Sequence, residues 1–219
     1  MHNRCVRRDC GAKSSLTNHA QMKADAGRIA ANPDVAMGPL ALALFEVPDE
    51  LRLRSSDGSG LMLAASTATV GWLRQSIQVD HAGRNFAMRT PRIKSLLGKL
   101  VSAAGADEPN IEIVLHDPDH WLISCSDHDL ELGDNLAMLG SEAIQFGEAI
   151  SLGGGSFRLT NLLRGRAGTE GACHSSGERF VLIDRAALEP VSLPRLVPGE
   201  PVGASALDGS AQCSLTLKD

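Results

Sequence analysis

The feature that most constrains the fold begins at Leu40, where short apolar or alternating runs follow one another, divided by Gly, Pro, Asp and Ser. Runs of this length with turn residues between them are typical of antiparallel β-proteins. The sequence therefore predicts a mainly β domain, an antiparallel β-sandwich or barrel-like structure with at most one or two short helices. The predicted strands are 40–47, 60–66, 70–79, 111–116, 121–126, 142–152, 157–163 and 179–184.

Two hairpins and one helix give this prediction detail. In the first hairpin, 111–125, apolar residues alternate on both sides of a turn at Asp117–Asp119. In the second, 142–163, the turn is Gly153–Ser156 and apolar residues flank it. The helix is predicted over 92–105, where apolar residues recur at helical spacing, although an internal glycine disfavours a helix.

Changes in composition divide the chain into three parts. Residues 1–38 are polar and Ala-rich and show no sustained period, which predicts a poorly ordered N-terminal segment, as expected for a piece of something longer. Residues 39–190 form the predicted β-rich domain. Residues 191–219 are rich in Pro, Gly and Ser, which predicts an extended C-terminal tail or linker.

Charge and composition exclude several classes of function. A formal net charge of −5 disfavours a nucleic-acid partner, which requires a basic face. No run approaches the roughly 20 apolar residues of a membrane-spanning helix, and no signal peptide is evident, so we expect synthesis in the cytoplasm. The chain lacks tyrosine, which leaves Trp72 and Trp121 as the candidates for stacking on a sugar or base.

No metal, cofactor or disulfide framework is predicted. The five cysteines are odd in number and irregularly spaced, which favours reduced thiols. Cys5 and Cys10 with His2 and His19 lack a second matching pair for zinc. The acidic, His-bearing run at 116–134 lacks the alternating oxygen ligands of a calcium loop.

The densest group of polar and charged residues lies in "NLLRGRAGTEGACHSSGERFVLID", which we interpret as a strand-to-strand connection over 161–179. One interpretation is architectural: glycines set the turns, and arginines tie down carbonyls or acids. The other is an anion site, for phosphate or carboxylate, built from Arg164, Arg166 and loop amides. The candidate residues are Arg164, Gly165, Arg166, Gly168, Thr169, Glu170, His174 and Glu178.

No catalytic residue is predicted. Cys173 and His174 are neighbours, and adjacent side chains of a strand point to opposite faces, so they do not form a catalytic pair automatically. The Gly-x-Ser-x-Gly pattern of a nucleophile elbow is absent around Ser175 and Ser176. A hydrolase would require Glu142 to meet Asp127 or Asp129, which their spacing does not support.

An ordered set of residues from 135 to 184 resembles the C-terminal region of the host specificity proteins of phage tails and gene transfer agents, also called tail tip attachment or baseplate megatron proteins. Their pattern places Asn, Gly, Glu and Gln-Phe before a Gly turn, then Leu-Leu-Arg-Gly-Arg and Gly-Thr-Glu, then His and Gly-Glu before an apolar strand. The matching residues are Asn135, Gly140, Glu142, Gln145, Phe146, Leu159, Leu162–Arg166, Gly168–Glu170, His174, Gly177, Glu178 and Phe180–Leu182.

The resemblance extends more loosely over 39–190. It implies a structural module of a tail tip or baseplate, present in the particle after assembly, whose partners are other tail subunits in an oligomer and a receptor or glycan of the host surface. It also implies that the motif is architectural, with Arg164 and Arg166 bonded to Glu170 or Glu178. The alternatives are a module that binds a cell-surface saccharide and a tail-associated hydrolase.

Overall fold

The structure is a computed structural model that describes residues 39–51, 60–197 and 199–217, so the predicted N-terminal segment 1–38 lies outside the described residues. The strands are β1 (Leu40–Glu46), β2 (Leu61–Thr67), β3 (Ser76–His81), β4 (Arg84–Arg89), β5 (Leu97–Leu100), β6 (Ile111–Leu115), β7 (Leu136–Leu139), β8 (Glu142–Gly153), β9 (Ser156–Arg166), β10 (Arg179–Leu182), β11 (Leu188–Pro190), β12 (Pro201–Ala206) and β13 (Gln212–Thr216). One α-helix, α1 (Asp127–Leu132), and two 3-10 turns, Asp49–Leu51 and Arg185–Ala187, accompany them.

The strands form three antiparallel sheets. A closed six-stranded barrel has the order β10-β5-β6-β9-β8-β7. A three-stranded sheet has the order β1-β2-β11, and a four-stranded sheet has the order β13-β12-β3-β4. This arrangement confirms the predicted mainly β, barrel-like fold with few short helices. Within the described residues, no helix has the length and apolar character needed to cross a membrane.

Strand β2 is buried on both faces because its sheet lies between two other layers. Leu61 and Leu63 belong to a core cluster shared with the four-stranded sheet. Met62 and Ala64 belong to a second cluster, shared with the outer wall of the barrel. All seven residues of β2 are therefore buried, as is typical of a strand covered on both sides. A third cluster fills the barrel interior, where Phe146, Phe157 and Phe180 are fully buried.

The β8–β9 hairpin confirms the prediction made from its glycine turn. Gly153 and Ser156 pair across the turn, and Gly153, Gly154 and Gly155 all have positive φ. The predicted strands at 40–47, 60–66, 111–116 and 179–184 are also present, with shifts of one or two residues at their ends. In the predicted strand 70–79, only the part from Ser76 onward is a strand.

The predicted helix at 92–105 is wrong, because its centre is strand β5. Leu97 packs outside the barrel and Leu100 inside it, so both faces of the strand are apolar and the sequence imitates a helical period. Gly98 supplies a further reason. A Cβ at Gly98 would lie 2.7 Å from the carbonyl oxygen of Val114, so the close approach of β6 requires glycine.

The predicted hairpin at 111–125 is also wrong. Its turn exists, since the amide of Asp119 donates to the side chain of Asp117, but the segment after it is not a strand. β6 pairs instead with β5 and β9. The segment 121–125 runs beside β8, where the amide of Cys125 donates to the carbonyl of Gly147 at 2.9 Å.

The extended tail predicted for residues 191–219 is also wrong. Pro201–Ala206 and Gln212–Thr216 form strands β12 and β13 of the four-stranded sheet. Val202, Ala204 and Ala206 alternate along β12 and are buried in the cluster shared with β1 and β2. Their small size and the glycine between two of them made the segment look like a linker. The alternation, rather than the residue volume, was the signal of a strand.

The packing of β12 predicts that Val202→Ala lowers the free energy of unfolding by about 2 kcal/mol, the cost of two buried methyl groups and the cavity that they leave. Leu207→Ala is the matched control, because Leu207 follows the same strand and is 67% exposed. Its cost is expected to stay within about 0.5 kcal/mol. Urea unfolding of the full chain measures both, and equal costs would contradict the burial of β12.

Candidate functional site

The open end of the β8–β9 hairpin brings the two halves of the motif together. Ala143 pairs with Arg166 and Gln145 pairs with Leu163, so β9 carries an extra residue between these pairs. The bulge that accommodates the extra residue lies at Gly165, which has a left-handed conformation with φ 59°. Its close approach to the carbonyl of Thr169, 2.9 Å from a Cβ placed on Gly165, makes a side chain unfavourable there.

This geometry corrects the predicted connection at 161–179. Strand β9 continues through Arg166, so the connection to β10 consists of residues 167–178, named the 167–178 loop below. The sequence "RGR" is therefore the bulged end of a strand, not part of a loop. The bulge turns both the side chain of Arg164 and the amide of Gly165 toward the start of β8.

The centre of the site is the carboxylate of Glu142, which accepts five hydrogen bonds. Arg164 binds it in the bidentate manner, with Nε to Oε1 and Nη2 to Oε2, both at 2.8 Å. The amide of Gly165 donates to Oε1 at 2.8 Å, and the amide of Ala172 to Oε2 at 2.9 Å. Nε2 of His174 lies 2.8 Å from Oε2. We name this group of five residues the Glu142 clasp.

The clasp keeps the carboxyl group of Glu142 ionised although its side chain is only 1% exposed. Burial alone would raise its pKa. The hydrogen bonds from Arg164, from the amides of Ala172 and Gly165, and from His174 outweigh burial and lower the pKa from 4.5 to about 2. A group whose charge and lone pairs are engaged in this way is suited to holding the loop in place, and poorly suited to exchanging protons with a substrate.

Arg164 makes two further contacts, one within the clasp and one to a segment outside it. Its Nη2 also donates to the carbonyl of Ala172 at 2.8 Å, and its Nη1 donates to the carbonyl of Gly105 at 3.1 Å. Ala172 is thus held through both its amide and its carbonyl. Gly105 belongs to the segment between β5 and β6, so a single guanidinium joins this segment, the hairpin and the 167–178 loop.

His174 lies between two carboxylates. Its side chain is 2% exposed, and its Nδ1 lies 3.1 Å from Oε2 of Glu178, without the alignment of a hydrogen bond. The backbone of His174 forms a bridge with Ala104, with N to O distances of 2.9 and 3.0 Å. Glu178 also accepts a hydrogen bond from the amide of Ser175. The imidazole therefore connects the clasp to the end of the loop.

A second set of contacts fixes the start of the loop. Nε of Arg166 donates to Oε1 of Gln145 at 2.6 Å, and Nε2 of Gln145 donates to the carbonyls of Leu130 and Asp134, each at 2.8 Å. The hydroxyl of Thr169 donates to the carbonyl of Arg166 and accepts from the amide of Ala143. The start of the loop is thus tied to β8 through Thr169, and the last residue of β9 is tied to β8 through Gln145.

The structure brings most of the predicted residues together, but with different partners. The expected partners of the arginines were Glu170 or Glu178, whereas Arg164 binds Glu142 and Arg166 binds Gln145. Glu170 and Gly168 are exposed. The oxyanion that Arg164 and the amides of Gly165 and Ala172 bind in the structure is the chain's own Glu142 carboxylate. Glu142 and Gln145 were visible as motif residues, and only their distance in sequence kept them out of the candidate site.

The other candidates lie apart from the clasp. Asp127 accepts from the side chain of Asn161. Ser126 caps α1 by accepting from the amide of Asp129, and the carboxylate of Asp129 accepts from the Ser126 hydroxyl. Among the described residues, no group of three or more His, Cys, Asp or Glu side chains is placed to hold a metal ion. The cysteines and histidines of 1–38 lie outside that part of the chain. Trp121 is 63% exposed and meets Phe157 edge to face, with ring centroids 5.2 Å apart.

Comparison with known families gives a match in the region of the barrel. Residues 92–181 match the family model described as Rcc01698-like, C-terminal. The matched region begins just before β5 and ends within β10, so it coincides with the strands of the closed barrel and includes the whole Glu142 clasp. No curated protein matches the chain.

The clasp predicts that Glu142→Gln lowers the free energy of unfolding by about 3–5 kcal/mol, since an amide offers one acceptor and turns its NH2 toward other donors. Glu112→Gln is the matched control. Glu112 is 35% exposed and binds Arg158 at the surface, so its loss is expected to cost at most about 1 kcal/mol. Urea unfolding at neutral pH measures both. Similar costs for the two variants would contradict a structural role for the buried carboxylate.

The lowered pKa of Glu142 also predicts a pH dependence. A carboxyl group with a pKa of about 2 in the folded state and 4.5 in the unfolded state stabilises the fold fully above pH 4.5. This contribution, about 3 kcal/mol, is lost as the pH falls toward 2. Stability measured from pH 6 to pH 2 should therefore fall more steeply in the wild type than in Glu142→Gln, which lacks the titrating group. Parallel curves would contradict the prediction.

Proposed function

We propose that the protein is a structural component of the tail tip or baseplate of a phage or gene transfer agent, acting by protein–protein assembly and host contact. The observation that carries the proposal is the family match over 92–181, together with the resemblance of residues 135–184 to host specificity proteins of such tails. The two observations concern the same part of the chain, since the resemblance lies almost entirely within the matched residues.

The chemistry of the motif supports an assembly role. The residues that carry the resemblance are those that build and brace the clasp, among them Glu142, Gln145, Arg164, Arg166 and His174. Their polar groups are directed at one another and at the backbone of the 167–178 loop. Polar side chains that bind one another and the backbone in this way hold the loop in one conformation. A fixed conformation is what a subunit needs to fit its neighbours in a particle.

The proposal includes partners and location. The partners are other tail-tip or baseplate subunits, and the chain works in an oligomer of the assembled tail. It is made in the cytoplasm and becomes part of the particle, and its action requires neither a cofactor nor nucleic acid. The layers of sheet around the barrel offer exposed strands such as β4, whose residues are largely at the surface, for contacts between subunits.

A second candidate function is binding of a cell-surface saccharide, which the exposure of Trp121 favours. Sugar rings stack on exposed aromatic faces, and Trp121 follows a turn that carries Asp119 and His120. Its edge contact with Phe157 holds the indole against the barrel. This candidate is compatible with a tail-tip location, because a tail tip contacts the host envelope.

The experiment that tests the proposal follows a tagged chain in a bacterium that produces such particles. Particles are induced, purified on a density gradient and labelled with gold against the tag. The expected result is that the chain sediments with the particles and that gold marks the tail end. Glu142→Gln should lower incorporation, and Glu112→Gln should leave it unchanged.

Complete particles that lack the chain, with all of it left in the unassembled fraction, would contradict the proposal. Trp121→Ala separates the second candidate from the first. If saccharide binding is the function of this surface, the variant enters particles normally and the particles adsorb to host cells less well. Unchanged adsorption would contradict the saccharide hypothesis and leave the assembly role untouched.

A further inference from the structure

Strand β4 is an edge of the four-stranded sheet, and no other strand pairs with its outer side in the described part of the chain. The remaining edge strands are covered or short. β1 and β13 lie beside each other, since Phe45 and Glu46 line a cavity together with Leu215 and Thr216. β11 has three residues and ends in Pro190. β4 has six residues, pairs with β3 without a bulge and contains no proline, so it lacks three common protections against pairing with another strand.

The turn before β4 determines which of its backbone groups face the open side. Ala82 and Gly83 both have positive φ, 49° and 70°, and join β3 to β4 in a two-residue hairpin. Bonded and non-bonded pairs alternate in an antiparallel ladder, so every second residue from Arg84 onward bonds to β3. The amide of Thr90, which donates to the carbonyl of Gln75 at 2.9 Å, continues this alternation. The residues whose amides and carbonyls point to the open side are therefore Asn85, Ala87 and Arg89.

The two faces of β4 differ in character. Phe86 and Met88 are half-buried and pack against the core cluster shared with β1 and β2. Asn85, Ala87 and Arg89 are exposed on the opposite face. A groove of about 610 Å³ follows the strand, and Phe86 and Met88 are among the residues that line it. A strand added to this edge would therefore extend the apolar face of the sheet and complete the burial of its last two apolar side chains.

The sequence of β4 complements itself in one antiparallel register. When Ala87 of one copy lies opposite Ala87 of a second copy, Phe86 lies opposite Met88 on the inner face. Asn85 then lies opposite Arg89 on the outer face. Each of these pairs occurs twice, because the arrangement is symmetric about Ala87. An aromatic ring beside a thioether and an amide beside a guanidinium are favourable cross-strand pairs, and no two like charges are directly opposite.

Charge separates this register from the register shifted by one residue. The shifted pairing would place Arg84 opposite Arg89 at both ends, and it would set the bonding groups of the two strands out of phase. In the register centred on Ala87, the outer face has a different order. Asp80 of β3 pairs with Asn85, and Asn85 faces the second copy's Arg89, so one acid and one base lie in the same row across the sheet.

We propose that β4 is a dimerisation edge, to which a second copy of this chain adds its own β4 in antiparallel order about Ala87. The two four-stranded sheets then become one sheet of eight strands. A symmetric interface of this kind closes at two copies. Because a single strand and its side chains form a small interface, the dissociation constant is expected in the micromolar range. The inference rests on the geometry of β4 alone, so it can fail while the tail-tip proposal stands.

The first test is sedimentation velocity of the full chain from about 1 to 500 μM, a range that brackets micromolar affinity. The expected result is a change from monomer to dimer as the concentration rises, without larger species. Ala87→Pro should abolish the dimer, because it removes the two central hydrogen bonds and spares the ladder to β3. A monomer at every concentration, which would leave this edge to a strand of a different protein, would overturn the proposal.

The second test uses the position of Ala87 on the symmetry axis. Ala87→Lys or Ala87→Glu places like charges directly opposite each other and should weaken dimerisation, whereas a mixture of the two variants should form a mixed dimer about tenfold more tightly than either alone. Ser214→Lys and Ser214→Glu are the controls, because Ser214 is exposed on β13, away from this edge.

The charge variants also carry the test if Ala87→Pro fails to fold, since Ala87 is exposed and its side chain packs against no core cluster. Dimers of Ala87→Lys, of Ala87→Glu and of their mixture that are equally stable would overturn the proposal. So would a dimer that the Ser214 variants weaken as much as the Ala87 variants do, because the interface would then lie elsewhere.

Discussion

Burial of one ionised carboxylate, that of Glu142, is the constraint from which the rest of the site follows. An ionised carboxylate can leave water only when donors replace its hydration, and here the donors come from the bulged end of β9 and from the 167–178 loop. Satisfying Glu142 therefore fixes the path of the loop. The loop in turn delivers β10 between β5 and β7, which closes the barrel. Arg164 adds the segment before β6 through Gly105.

The layered architecture extends this constraint beyond the barrel. The sheet that contains β1 and β2 packs on the barrel wall with one face and on the four-stranded sheet with the other. Strand β11, which follows β10 after a short turn, pairs with β2 in the same sheet. A change that displaces β10 would therefore disturb both the barrel interior and the core between the barrel and the three-stranded sheet. The polar motif in the barrel is thus linked through β10 and β11 to residues far from it in sequence.

The sequence predicted the fold class and the glycine-turn hairpin because both depend on local patterns, namely alternation along strands and turn residues between them. Strand β5 and strand β12 were missed for opposite reasons: β5 is apolar on both faces, and β12 buries residues too small to stand out. Helix α1 has a local signal in the sequence, with Ser126 at its start and Gly133 at its end.

For the candidate site, the sequence predicted Arg164, Gly165 and His174 but not the residue at its centre. Glu142 lies 22 residues before Arg164, and only the pairing of β8 with β9 brings the two together. The predicted hairpin sets the two segments side by side, but the bulge at Gly165 that turns Arg164 toward Glu142 has no signal in the periodicity. The resemblance to a family pattern already contained both residues. The net charge of −5 argues against a broadly basic surface. It does not show which cations lie beside each other on paired strands, as Lys99 and Arg179 do.

The most direct test of the central claim is native-state hydrogen exchange of the amide of Ala172, which donates to Glu142 from within an otherwise exposed stretch of loop. If the carboxylate holds the loop to the barrel, this amide opens with the same free energy as the amide of Leu115 in β6, which donates to Gly155 within the barrel, because both require the same cooperative unit to unfold. Fast exchange at Ala172 while Leu115 remains protected would show that the loop opens on its own, and would contradict the claim.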